Sequence, residues 1–209
     1  MTSAMSDADS FLTIDRPGRA EIKIKGSKFI GRAVPCADEG EARAVLDDIR
    51  KKDYDASHHC YAYHIGTGSR SVFHYSDAGE PSGTAGRPIF DHITGQNLTD
   101  LIIVVTRYFG GTKLGTGGLT RAYSQAAEAS LAATRTVERF LTCKVAMTIP
   151  FSDYNNVERL LRENDCTIVK NDFSDLVRLT AAVRQSRVAD IKGRLIELTS
   201  ARISFDETA

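Results

Sequence analysis

The chain lacks net charge: 27 lysines and arginines stand against 27 aspartates and glutamates in 209 residues. Residues 137–209 hold 11 of each sign, so neither half is broadly basic. Nucleic-acid binding driven by bulk charge is therefore excluded, and only a local patch is left to do it. Strongly apolar runs are short, the longest being the five residues 101–105, which is too few to span a bilayer. Residues 1–10 have no basic region followed by an apolar core, so no secretory leader is read there. The four cysteines, Cys36, Cys60, Cys143 and Cys166, form no Cys-x-x-Cys pair. Reduced thiols, a cytoplasmic location and no membrane association are expected. Repeats, low-complexity tracts and a Pro/Ser-rich linker are also missing.

What the chain does have is glycine in one place. Between Arg107 and Arg121, five glycines fall within nine residues: Gly110, Gly111, Gly115, Gly117 and Gly118. A stretch with so few Cβ atoms reaches positive φ and lets its backbone approach a partner closely. The apolar run before it reads as a buried strand, and the Ala-, Leu- and Gln-rich residues 119–134 read as a helix. Backbone amides and a helix dipole meeting at such a junction hold anions. From residue 101 to 127 there are three bases, Arg107, Lys113 and Arg121, and no acid. These residues are the candidate anion site. The same glycines also serve tight turns and close strand–helix packing. Lys113 is followed by Leu114, so this is no Walker loop, and the glycine spacing does not give a dinucleotide fingerprint.

Along the rest of the chain, residues 1–14 read as a polar, frayed lead-in. Alternation predicts strands over 20–25 and 29–34, joined near Gly26 and Ser27. Asp38 and Glu41 resemble an N-cap pair opening a helix with Ala42, Val45, Leu46 and Ile49 on one face. Strands follow over 59–65 and 71–75, a short helix over 87–94, and a central strand over 101–107. In the tail, strands over 143–149, 167–171, 177–183 and 202–205 alternate with helices over 155–164 and 187–199. Val157, Leu160, Leu161, Val188, Ile191, Leu195 and Leu198 are expected to face inward. That β-α-β-β-α-β order is the ferredoxin-like plan. The fold expected is α+β in two domains, residues 1–136 and 137–209.

Four blocks in order carry a family look. They are Ser27-Lys-Phe-Ile30, His58-His-Cys-Tyr-Ala-Tyr63, Tyr75-Ser-Asp-Ala-Gly-Glu-Pro-Ser-Gly-Thr-Ala-Gly86, and Val104-Val-Thr-Arg-Tyr-Phe-Gly-Gly111 with Leu114-Gly115. Together they resemble the YigZ/IMPACT family over residues 20–135, and the C-terminal part is similar to the small domain of bacterial members. One departure is Ala78, where the family pattern has a second acid after Asp77. The resemblance implies a two-layer first domain, shared with a ribosomal protein and a translation-factor domain, and a translation-factor-like second domain. It further implies a non-enzymatic regulator associated with translation that binds RNA, the ribosome or a translation-associated protein. Eukaryotic IMPACT proteins restrain a translation-controlling kinase by competing for its activator; their extra N-terminal recognition domain is not read in these 209 residues, so that specific role is not expected here. The alternative is an enzyme that takes a phosphorylated small molecule or nucleotide on the glycine-rich loop. A pure interaction module with a structural loop is the third reading. No cofactor is implied.

Other chemistry is weaker in the sequence. His58, Cys60 and His64 share one face of a strand, but three groups on a flat strand converge poorly on one ion, so no metal site is expected. His59, Asp77, Glu80 and Thr84 are candidates for a second wall of the cleft. Asp77 and Glu80 suit acid–base work only if their environments part their pKa values. The simpler role for both is to bind the loop's own amides or to neutralise Arg107 and Arg121. Ser82 and Thr84 have no nucleophile elbow. Tyr108 and Phe109, beside Arg107, are suited to stacking a base. No catalytic residue is assigned.

Overall fold

Every residue from 101 to 105 is fully buried. A strand alternates its side chains, so such a run must be covered on both faces. The computed structural model, which describes residues 9–206, shows how. The elements are β1 (Ser10–Ile14), β2 (Gly18–Ile24), β3 (Ser27–Pro35), α1 (Glu39–Lys52), β4 (His58–Ile65), β5 (Val72–Ser76), α2 (Gly86–Gly95), β6 (Leu101–Tyr108), α3 (Thr116–Ala132) and β7 (Thr136–Phe140). Then come β8 (Thr142–Ile149), α4 (Tyr154–Glu163), β9 (Thr167–Phe173), β10 (Val177–Arg184), α5 (Val188–Leu198) and β11 (Ser204–Phe205). Two compact units emerge, residues 11–139 and residues 140–206 with 9 and 10. Both are α+β.

In the first unit the sheet order is β2-β3-β6-β4-β5, antiparallel throughout, with β6 at the centre. Leu101, Ile103 and Val105 join the core under α2 and α3, with Phe29, Cys60, Ile89, Ile93 and Tyr123. Ile102 and Val104 face the other way, toward Leu46 and Ile49 of α1. Helices thus lie on both faces, which corrects the expected two-layer arrangement. The cause is the unbroken apolar run of β6, which leaves no wet face. α1 begins as its sequence indicates: Asp38 accepts from the Glu41 amide at 2.9 Å, and Glu41 accepts from the Ala37 amide at 2.8 Å.

Residues 10–14 are not a frayed lead-in. They form β1, which pairs with β7, and Ile14 is fully buried in the main core. Residues 1–8 of that expected lead-in lie outside the described residues. The boundary expected at 136/137 falls at the start of β7. α3 begins at Thr116, so Gly117 and Gly118 belong to its first turn rather than to a loop.

The second unit runs β8-α4-β9-β10-α5-β11, with sheet order β11-β8-β10-β9 and antiparallel neighbours. Val157, Leu161, Ile191 and Leu195 are buried with Val145, Met147, Val177 and Leu179, while Leu160 and Val188 pack at the margin. Leu198 departs from the expectation: it is exposed, because α5 ends there and the chain turns through Thr199.

Candidate functional site

β6 delivers Arg107 to the α2/α3 side of the sheet, three residues before the first loop glycine, Gly110. Its guanidinium is buried, and Nη1 donates to Glu80 Oε1 at 2.6 Å. The hydroxyl of fully buried Tyr123 donates to the same oxygen at 2.8 Å. Nη2 reaches Ser27 Oγ at 3.4 Å. Glu80 arrives from the β5–α2 loop, so the two glycine-bearing loops meet over this pair. A buried charge left alone is costly, and the pair holds both charges together. Burial pushes the Tyr123 hydroxyl far above its usual range, so it stays a donor.

Asp77 fixes the loop that carries Glu80. Its carboxylate accepts from the amides of Gly83 at 2.8 Å, Ala85 at 2.8 Å and Gly86 at 2.9 Å. Two of these lie at the start of α2, where an anion is favoured. Burial alone would raise this carboxyl, but the three amide bonds outweigh it and hold it below its ordinary value. Thr84 Oγ1 donates to the Pro81 carbonyl at 2.6 Å, closing the same turn. Ala78 sits at φ +44°, a conformation an Asp or Asn tolerates better than Ala. Its carbonyl accepts from His58 Nδ1 at 2.9 Å, which fixes that ring's tautomer and turns Nε2 toward Glu80 at 3.9 Å.

His59 is not part of this wall. It lies on the opposite face, with Nδ1 at 3.2 Å from Thr106 Oγ1. His58 takes the place next to Glu80, because His58 and Arg107 are register partners and share a face. Burial lowers the His59 pKa from its ordinary value.

Between the two loops lies a cavity of about 400 Å³ lined by Glu80, Pro81, Arg107, Phe109, Lys113, Leu114, Gly115, Thr116 and Leu119. Arg121 is not in it. That side chain lines a separate hollow of about 240 Å³ with Ile24, Lys25, Leu114, Gly118 and Gln125. The three bases do not line one cavity: Arg107 is neutralised by Glu80, Lys113 lines the cleft, and Arg121 lines the neighbouring hollow. The expectation of one three-base patch is corrected to that extent: α3 carries Arg121 into the hollow on the other side of Leu114, which lines both.

The glycines divide in the same way. A Cβ on Gly110 would meet Gly26 backbone atoms at 1.9 and 2.0 Å, so this glycine lets two turns touch. Its amide donates to Ser27 Oγ at 3.1 Å. Gly111 (φ +86°) and Gly115 (φ +71°) have open space around them. Gly115 is the N-cap of α3 and has no side chain to cap the first-turn amides of Thr116, Gly117 and Gly118. Arg107 Nε is also buried without a partner among the described residues. The cleft thus has donors over an apolar wall of Pro81, Phe109, Leu114 and Leu119.

The three strand residues weighed for a metal are each turned elsewhere. Cys60 Sγ donates to the Asp77 carbonyl at 2.9 Å, and burial pushes its thiol up to about 12. His64 donates from Nδ1 to Leu98 O at 2.7 Å, and its Nε2 lies 2.7 Å from Ser71 Oγ. No metal-holding group of three or more His, Cys, Asp or Glu occurs among the described residues.

Residues 25–131, which contain both walls of the cleft, match the Impact N-terminal domain family. The chain belongs to the IMPACT family. Residues 147–202 match a domain of unknown function, DUF1949. IMPACT family member YvyE of Bacillus subtilis is 33% identical over 95% of this chain and 91% of its own length. IMPACT family member YigZ of Escherichia coli is 30% identical over 91% of this chain and 94% of its own. A solved structure described as a hypothetical protein superposes with TM-score 0.71 at 28% identity, covering 96% of this chain and 98% of that one. Among the described residues no helix is long and apolar enough to cross a membrane.

Proposed function

We propose that the chain is a non-enzymatic regulator associated with translation, and that it engages its partner through the cleft between residues 77–86 and 109–119. The partner class is RNA, free or on the ribosome, with a translation-associated protein as the rival. One observation carries the reading. The uncapped amides of α3, Lys113 and the half-exposed ring of Phe109 line up along one cleft, donors for phosphate oxygens beside a face for a base. A binding rather than catalytic role is supported by how the reactive groups are engaged. Asp77 holds three amides, Glu80 holds Arg107 and Tyr123, and Thr84 closes its own turn. Family membership supplies the translational context, in keeping with a translation-factor-like first domain and a ferredoxin-like second. The same α3 amides would suit a phosphorylated small molecule, and that is the second reading.

Sedimentation of the tagged chain with ribosomes through sucrose at low and high salt tests the proposal. Co-migration at low salt that is lost in Lys113→Ala is expected. A chain that stays at the top of the gradient at every salt, while a nucleotide or phosphosugar raises its melting temperature, would establish the second reading instead.

A further inference from the structure

On the other face of the first-unit sheet, away from the glycine loop, lies a cavity of about 330 Å³ lined by Ala42, Arg43, Leu46, Asp47, Arg50, Tyr61, Tyr63, His74 and Ile102. Its volume falls within the range of small-molecule sites. Leu46 and Ile102 make an apolar floor, both buried. Register sets Tyr63 directly opposite His74, with Tyr61 two residues along the same strand. The His74 ring lies 5.7 Å from Tyr61 at 36° and 5.8 Å from Tyr63 at 33°. Tyr63 is buried, and its hydroxyl is committed to Glu39 at 2.8 Å. His74 is exposed and Tyr61 half-buried, so both present ring surface to the opening.

Above these rings α1 places Arg43 and Arg50, seven residues and two turns apart, on one helix face. Arg43 pairs with Glu39 of its own helix at 3.2 Å and also meets the Tyr63 hydroxyl, and Arg50 pairs with Asp47 at 3.6 Å. Exposed pairs of this kind contribute little, so a phosphate exchanges for either carboxylate readily. Asp47 is the cavity's own acid. A carboxylate there accepts from an exocyclic amino group, which suits a base that carries one.

We propose that this cavity is a nucleotide pocket: a nucleobase lies across His74 and Tyr61, and its phosphate meets Arg43 and Arg50. The inference does not rest on the glycine-loop reading, because the two hollows share no lining residue. It adds a second contact for a nucleotide unit, with a preference for amino-bearing bases over uracil.

The test is heteronuclear NMR titration of the full chain with AMP, CMP and UMP, and separately with adenosine and inorganic phosphate. Shifts are expected at Tyr61, His74 and the Arg43–Arg50 turn of α1, with AMP and CMP ahead of UMP. Arg43→Gln combined with Arg50→Gln should weaken AMP about tenfold and leave adenosine nearly unchanged. Tyr61→Leu should weaken both by a similar factor. Lys170→Ala, an exposed residue of the second unit outside both hollows, should change neither. Circular dichroism melting of each variant shows that the fold is kept; the two arginines are exposed, so no loss is expected from them. The proposal is overturned if millimolar AMP moves none of these resonances or moves only those of residues 109–119. Equal effects of phosphate alone and AMP would also overturn it, since the rings would then contribute nothing.

Discussion

At the residue scale, the pair Arg107–Glu80 organises the first unit's cleft. Glu80→Ala removes one partner of a buried ion pair and leaves a guanidinium stranded, at a cost of about 3–5 kcal/mol. Glu80→Leu with Arg107→Met should recover most of that loss, and urea midpoints of the two proteins would show it. Asp77 gives the pH signature. Its folded pKa lies below the ordinary value, so the stability it contributes is fully present above about pH 4 and is lost as pH falls through the folded value. Asp77→Asn should therefore be less stable than wild type at pH 7, with the gap closing in acid. Equal stability of the two proteins at neutral pH would show that the three amide bonds contribute nothing. Asp77 and Glu80 were legible in the sequence as loop-binding or arginine-neutralising acids, because their loop and the Arg107 segment have complementary charge. His58 was not distinguished from His59, since the face a strand residue takes depends on register with β6, which no local pattern carries.

At the element scale, most strands and helices follow from periodicity and caps, as Asp38 with Glu41 illustrates. β1 and β7 do not. Each is five residues long, and their pairing joins segments more than a hundred residues apart, so neither has a local signal. Ile14 makes the error measurable. It is fully buried, and Ile14→Ala should cost about 2–5 kcal/mol, whereas a frayed lead-in would give no change in the denaturation midpoint. The third layer was present in the sequence as the apolar run 101–105, which demands cover on both faces. The family resemblance implies two layers, and the apolar run overrules it. The start of α3 was missed because glycine has poor helix propensity, and here the open first turn is tolerated at the rim of the cleft.

At the scale of the whole molecule, each unit has its own closed apolar cluster. The second also includes Asp9, which accepts from Arg184 Nε at 2.8 Å and from the Ser186 amide at 2.7 Å. Burial would raise this carboxyl, but those bonds hold it down to about 2. A fragment of residues 140–209 should unfold cooperatively in urea. Asp9→Asn in the full chain should weaken the same unit above about pH 4 and match wild type below about pH 2. Noncooperative melting of the fragment would mean that the second core depends on the rest of the chain.

The cleft is the central claim, and titration of a labelled single-stranded RNA at several salt concentrations tests it most directly. Each neutralised phosphate contributes about 0.7 to the log–log salt slope on single strands. With Arg107 already neutralised and Arg121 facing another hollow, the slope should be shallow, about 0.7 to 1.4, that is one or two phosphates. Lys113→Ala should reduce it by about 0.7, and Phe109→Ala should weaken binding at every salt while leaving the slope unchanged. Absence of binding at low salt, or wild-type behaviour in both variants, would contradict the account.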